Sequence, residues 1–148
     1  MPAIISEQPE LAPAETTRRK RILIVDDDEA GVELLSRRLQ QQGYEALTAD
    51  TGRAGLALAC QELPALVILD LRLPDTDGFS VCQQLVDSPE TCSIPVIILS
   101  GMERPDIIRR CRAAGCYYFV RKPYDPNALL VLIRQAITEA ARWSEFAD

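Results

Sequence analysis

The sequence predicts a single α/β domain in which five parallel strands alternate with five helices that cover both faces of the sheet. Two observations predict it. Four runs, Ile22–Val25, Leu66–Leu69, Val96–Leu99 and Tyr117–Val120, are apolar throughout instead of alternating, the pattern of strands buried on both faces. Between them lie segments with apolar residues three and four apart, and this regular alternation requires right-handed crossovers between parallel strands. An α+β fold would group its strands together in sequence.

The elements follow in order. Residues 1–20 hold Pro2, Pro9 and Pro13 with no apolar period and read as a flexible N-terminal tail. Residues 21–143 read as the folded domain and 144–148 as a short C-terminal tail. The run Arg18-Arg19-Lys20-Arg21 reads as a solvated lead-in to the first strand. A helix over 29–42 rests on Val32, Leu35 and Leu39, has Asp28 as its cap and stops before Gly43. Glu45–Ala49 is a more polar strand, which belongs at an edge. Residues 52–62, rich in alanine and leucine, form a helix that ends before Pro64. Further helices are expected over Gly78–Val86 and over Pro105–Ala114, the latter closed by Gly115. The last runs from Pro126 to about Trp143, with Asp125 capping and proline in the first position.

Composition removes several function classes. The 148 residues contain no histidine, which excludes Ser-His and Cys-His nucleophilic pairs, His-ligated zinc and a phosphohistidine on this chain. A net charge of −6 gains nothing from counterion release, so no direct nucleic-acid binding is expected. Five cysteines, with no CxxC pair, read as reduced, small apolar residues of a cytoplasmic protein. No stretch approaches the roughly 18 apolar residues that a membrane span needs, and the N-terminus lacks the pattern of a signal peptide.

The functional signal lies at the carboxyl ends of the strands, where open α/β sheets bind their ligands. The first strand delivers Asp26, Asp27 and Asp28, the third Asp70, the fourth Ser100 and the fifth Lys122. Crowded carboxylates repel, and at least one pKa rises unless a cation intervenes. Oxygen ligands on a few carboxylates suit magnesium. Lysine supplies a compact charge that can pair with Asp70 and later with a phosphoryl oxygen, and Ser100 a hydrogen-bond donor. A carboxylate so flanked is a phosphoryl acceptor. The chain uses 14 arginines but only Lys20 and Lys122 as lysines, a hint that arginine does not fit at position 122.

Ile22–Asp28, Asp70 with Leu73-Pro74-Asp75-Thr76-Asp77-Gly78, Ser100-Gly101 and Lys122-Pro123 together resemble the receiver domain of two-component response regulators, over roughly residues 20–143. The resemblance implies a flavodoxin-like (βα)5 sheet in the order 2-1-3-4-5, similar to the chemotaxis-regulator fold. It implies Asp70 as phosphoacceptor, Asp27 as a direct magnesium ligand, Asp26 acting largely through water, and the Arg72 backbone carbonyl completing the protein ligands. Ser100 matches the switch hydroxyl, Phe119 the aromatic that follows activation, and Pro123 a position where the family often has a cis peptide. Leu73, Ser100 and Phe119 depart slightly from the commonest family residues, and Arg72 and Met102 fall where variation tunes the phosphoryl lifetime.

The implied function is a phosphorylation-activated switch and not an enzyme beyond its own phosphotransfer and autodephosphorylation. The implied partners are a sensor histidine kinase or histidine phosphotransfer protein and a downstream effector, with a phosphorylation-dependent dimer left open. The sequence shows no output domain, and the chain is equally readable as a piece of a longer regulator or hybrid kinase. Two other readings stay open. A phosphohydrolase of the haloacid-dehalogenase type needs a second aspartate two residues after the first, where this chain has Arg72. An interaction module that lost phosphorylation would lack one of the acidic, lysine or hydroxyl positions, all of which are present.

Overall fold

The computed structural model describes residues 19–146. The expected tail over residues 1–20 therefore falls almost wholly outside the described residues. Five strands, β1 (Arg21–Val25), β2 (Glu45–Ala49), β3 (Leu66–Leu69), β4 (Val96–Ser100) and β5 (Tyr118–Arg121), alternate with five helices. These are α1 (Glu29–Gln41), α2 (Gly52–Glu62), α3 (Gly78–Asp87), α4 (Ile107–Ala114) and α5 (Pro126–Phe146). All strand pairings are parallel, in the order β2-β1-β3-β4-β5. The fold class is the one the sequence predicts, and the strand order is the one the resemblance implied.

The unbroken apolar runs are explained by the two layers of helix. Along β1, Leu23 and Val25 face a core shared with α2, α3 and α4, whereas Ile22 and Ile24 face one shared with α1 and α5. In β3 all four residues are buried, and burying such side chains is worth roughly 1.5–3 kcal/mol each. The polar strand β2 does sit at an edge, as does β5. Edge position leaves Tyr118, Phe119 and Val120 only half-buried.

Local chemistry sets the helix ends. Thr51 Oγ1 accepts the Ala54 N–H at 3.0 Å at the start of α2, and Asp77 Oδ1 accepts that of Ser80 at 2.8 Å at the start of α3. Asp125 Oδ2 caps α5 as expected, accepting from Ala128 at 3.2 Å. Asp28 occupies the N-cap position of α1, but its carboxylate takes no helix N–H among the described residues. The helix α4 starts at Ile107, two residues later than Pro105 suggested, after a turn in which Ile107 N–H donates to the Arg104 carbonyl at 3.2 Å. Its end at Gly115, with φ +95°, is the expected one. The last helix continues to Phe146, so the expected tail over 144–148 is largely helical, and residues 147–148 lie outside the described region.

Close approaches fix helix against sheet. A Cβ on Gly55 would lie 2.8 Å from Val25 Cγ2, so glycine there lets α2 press onto β1. The five cysteines are free thiols. Burial pushes Cys82 and Cys116 up to about 12, the behaviour of inert packing groups. Among the described residues no helix is long and apolar enough to cross a membrane.

Candidate functional site

β1 and β3 are hydrogen-bonded neighbours at the centre of the sheet, so the residues that follow them emerge side by side. The Asp26 N–H donates to the Ala49 carbonyl at 3.0 Å, and the Asp70 N–H to the Val25 carbonyl at 2.9 Å. These bonds carry the sheet ladder one residue past each strand and hold both carboxylates at the rim. Asp26 and Asp70 are nine-tenths buried and Asp27 is exposed. One carboxylate oxygen from each of the three comes within 4.8 Å of the others.

Such crowding has an electrostatic signature. Burial and then the charge of Asp26 push Asp70 from 3.8 up to about 6, against the opposing pull of Lys122 and of the Leu71 and Arg72 N–H groups. The crowding that the sequence suggested is therefore real, and a hard cation among these oxygens would relieve it. The donor set of three carboxylates fits magnesium.

Lys122 reaches the cluster from the end of β5. Its backbone N–H donates to the Ser100 carbonyl at 2.9 Å, and the Lys122–Pro123 peptide is cis, in keeping with the expectation at Pro123. The ammonium sits 2.8 Å from Asp26 Oδ2 and 3.9 Å from Asp70 Oδ2. The sequence suggested Asp70 as its partner; Asp26 is the nearer one, because Asp26 is placed to accept a direct hydrogen bond. Burial works against the charge on Lys122, but that bond and the charges of Asp70, Asp26 and Asp28 outweigh it and hold its pKa above the usual lysine value.

Ser100, fully buried at the end of β4, accepts the Met102 N–H at 3.1 Å through Oγ. Its own O–H remains able to donate. Phe119 lies opposite Ile98 in the β4–β5 register and packs against the core shared by α2, α3 and α4. Arg72 belongs to the β3–α3 loop, where it forms an antiparallel bridge with Asp77. That loop is pulled tight by the Gly78 N–H, which donates to the Leu71 carbonyl at 2.8 Å. A Cβ on Gly78 would lie 2.4 Å from the Asp70 carbonyl oxygen, so only glycine permits this turn. Asp26, Asp27, Asp70 and Lys122 are thus brought together at one rim, with Ser100 at the neighbouring strand end.

Two features were not foreseen. Asp75 accepts backbone N–H groups from the start of α2; in sequence it stands only as one residue of the Leu73–Gly78 motif. Beside Asp26 and Lys122 a groove of about 390 Å³ opens between α1 and the segment leading into α5, lined by Val32, Leu34, Leu35, Pro123 and Tyr124.

The sequence matches the family model of the response regulator receiver domain over residues 22–134. The chain belongs to this family. It is 41% identical over 115 residues to the response regulator PleD of Caulobacter vibrioides, covering 77% of this chain and 25% of that protein. It is 35% identical over 117 residues to protein PilH of Pseudomonas aeruginosa, covering 79% and 97%. The chain therefore spans about a quarter of one curated relative and nearly all of another. Among solved structures, the CheY-like receiver domain protein of Methanospirillum hungatei superposes with a TM-score of 0.79 at 30% identity, covering 84% of this chain and 98% of that one. Receiver domains are signalling phosphoacceptors that work with histidine kinases and effectors and bind magnesium in an acidic cleft.

Proposed function

We propose that this receiver domain is a phosphorylation-activated switch in which Asp70 takes a phosphoryl group from a phosphohistidine on another protein. The observation that carries the reading is the buried pair Asp26 and Asp70, with a carboxyl pushed up to about 6 beside a lysine ammonium. Asp26, Asp27, Asp70 and the Arg72 carbonyl would hold magnesium, which supplies neutralisation of the charge that gathers on the phosphoryl oxygens. An Asp70 carboxylate oxygen forms the new bond to phosphorus as the bond to the donor imidazole nitrogen breaks, and the imidazole leaves carrying a proton. The chain has no histidine, so the donor lies on another protein or domain.

The remaining residues respond to the new charge. Lys122, now held by Asp26, turns its ammonium toward a phosphoryl oxygen, and the free O–H of Ser100 donates to another. The inward movement of β4's end opens space that Phe119 follows. Chemistry at the rim thereby biases a two-state equilibrium, read on the face of α4, β5 and α5, where Ile108 and Val131 are more than half exposed. Attack of water on phosphorus, with Asp70 leaving, resets the switch. On this reading the domain is a cytoplasmic phosphoacceptor with a kinase or phosphotransfer donor and a protein effector, not a turnover enzyme, and it makes no direct contact with nucleic acid or membrane. A dimer formed on phosphorylation would use the same face.

Intact mass spectrometry after incubation with acetyl phosphate and magnesium tests the proposal. One phosphoryl adduct is expected on the native chain and none on Asp70→Asn or after chelation of the metal. An adduct that persists on Asp70→Asn moves the acceptor elsewhere. Sustained turnover of phosphate esters would favour a phosphohydrolase instead.

A further inference from the structure

A helix begins with backbone N–H groups that have no partner inside it. In α2, Thr51 takes that of Ala54. Those of Gly52 and Arg53 are taken by Asp75, a residue 23 positions away from Gly52 on the β3–α3 loop, with Oδ1 at 2.8 Å from Gly52 N and Oδ2 at 3.0 Å from Arg53 N. A carboxylate forked over the first turn of a helix is favoured by the peptide dipoles, and these two bonds hold the Asp75 carboxyl below its usual range. The approach is close: a Cβ on Gly52 would lie 2.4 Å from Thr76 Cγ2. At the other end of the loop, the Arg72–Asp77 bridge and the Gly78-to-Leu71 bond fix its base. The loop is therefore a small hairpin whose base carries Arg72 and whose tip is tied to α2.

We infer that Asp75 is a positioning residue for the acceptor site, fastening the β3–α3 loop to α2 and so setting where the Arg72 carbonyl and the Leu71 and Arg72 N–H groups stand against Asp70. The inference rests on the magnesium reading of the site. Asp75 ties down the tip of the hairpin whose base offers the metal ligand, whereas the side-chain bond of Thr51 runs to the first turn of the same helix. The two residues can thus be separated by experiment.

Magnesium titration of the metal-free protein by calorimetry, alongside thermal unfolding in EDTA, distinguishes them. Asp75→Ala is expected to weaken magnesium binding about tenfold, the lower end of the effect of losing an outer contact that orients a ligand. Asp75→Asn, which keeps one acceptor oxygen, falls between this and the native chain, and carries the test alone if the alanine variant does not fold. Thr51→Ala lowers the unfolding temperature and leaves magnesium affinity unchanged. Native affinity in Asp75→Ala and Asp75→Asn, or an equal loss in Thr51→Ala, overturns the role of Asp75. A native chain that binds no magnesium overturns the reading of the site itself, and shows this before any variant is measured.

Discussion

At the scale of single residues, the site stores charge where the fold would otherwise have placed none. Asp70 sits directly after four buried apolar residues of β3, and its carboxyl titrates near 6 instead of 3.8. The folded chain therefore holds this proton more tightly than the unfolded chain does. The resulting stability is complete below about pH 4 and is lost as the pH rises through about 6. Metal-free Asp70→Asn keeps an amide oxygen for the Leu71 and Arg72 N–H groups. It should be more stable than the native chain at neutral pH, by an amount on the order of 2–3 kcal/mol, and the gap should close near pH 4. Urea unfolding at both pH values checks this, and a gap of equal size at both would rule out Asp70 as the titrating group. The residues of this cluster were legible because polar groups directly after buried strands need a reason. Who pairs with whom was not: the preference of Lys122 for Asp26 depends on ångström differences in side-chain reach.

At the scale of elements, loops and caps decide more than the helices and strands do. The added Cβ of Gly78→Ala would collide with backbone on both sides, at 2.4 Å from the Asp70 carbonyl oxygen and 2.7 Å from Leu71 Cα. Backbone has to move, so the cost should exceed about 2 kcal/mol, and magnesium affinity should fall with it because the same backbone carries Asp70. Gly43→Ala meets nothing within 4 Å but has φ +92°, and should cost only the left-handed strain of roughly 1–2 kcal/mol with the site intact. Denaturant unfolding and magnesium titration of the two variants test the contrast. The central strands were readable from sequence because burial on both faces leaves an unbroken apolar run. At β5 the reading began one residue early, at Tyr117. An edge strand has only one neighbour, so aromatic residues there do not mark which of them joins the ladder. Asp28 looked like a cap, yet its N–H is bonded to Asp26 Oδ1 at 3.1 Å. That bond draws the turn toward the acidic cluster. The Asp28 carboxylate lies close enough to the first turn that a Cβ on Gly31 would meet its Oδ2 at 2.7 Å, without accepting a helix N–H among the described residues. Asp75 was invisible as a tether, since its partners are backbone groups of a distant helix.

At the scale of the whole molecule, the acidic rim adjoins an apolar groove. Leu34 on α1 is 66% exposed yet lines the cavity that opens beside Asp26 and Lys122. On the proposed function, a phosphohistidine-bearing protein that docks there would sit beside Asp26 and Lys122, next to the proposed acceptor Asp70, whereas a small phosphodonor needs no such footing. Leu34→Asp should therefore slow phosphotransfer from a donor protein at least about tenfold, as interface anchors do, while labelling by acetyl phosphate stays at the native rate. Equal slowing with both donors, or with neither, would locate the docking surface elsewhere. The strand order has a consequence in time as well as in space. Lys122 meets Asp26 across 96 residues of chain, and β5 is the last strand in the sequence and lies at an edge of the sheet. During synthesis, which delivers the N-terminal part first, Asp70, the proposed acceptor, leaves the ribosome well before Lys122. On the proposed function, a chain cut short before β5 would carry the aspartates without the ammonium that is to meet the phosphoryl group.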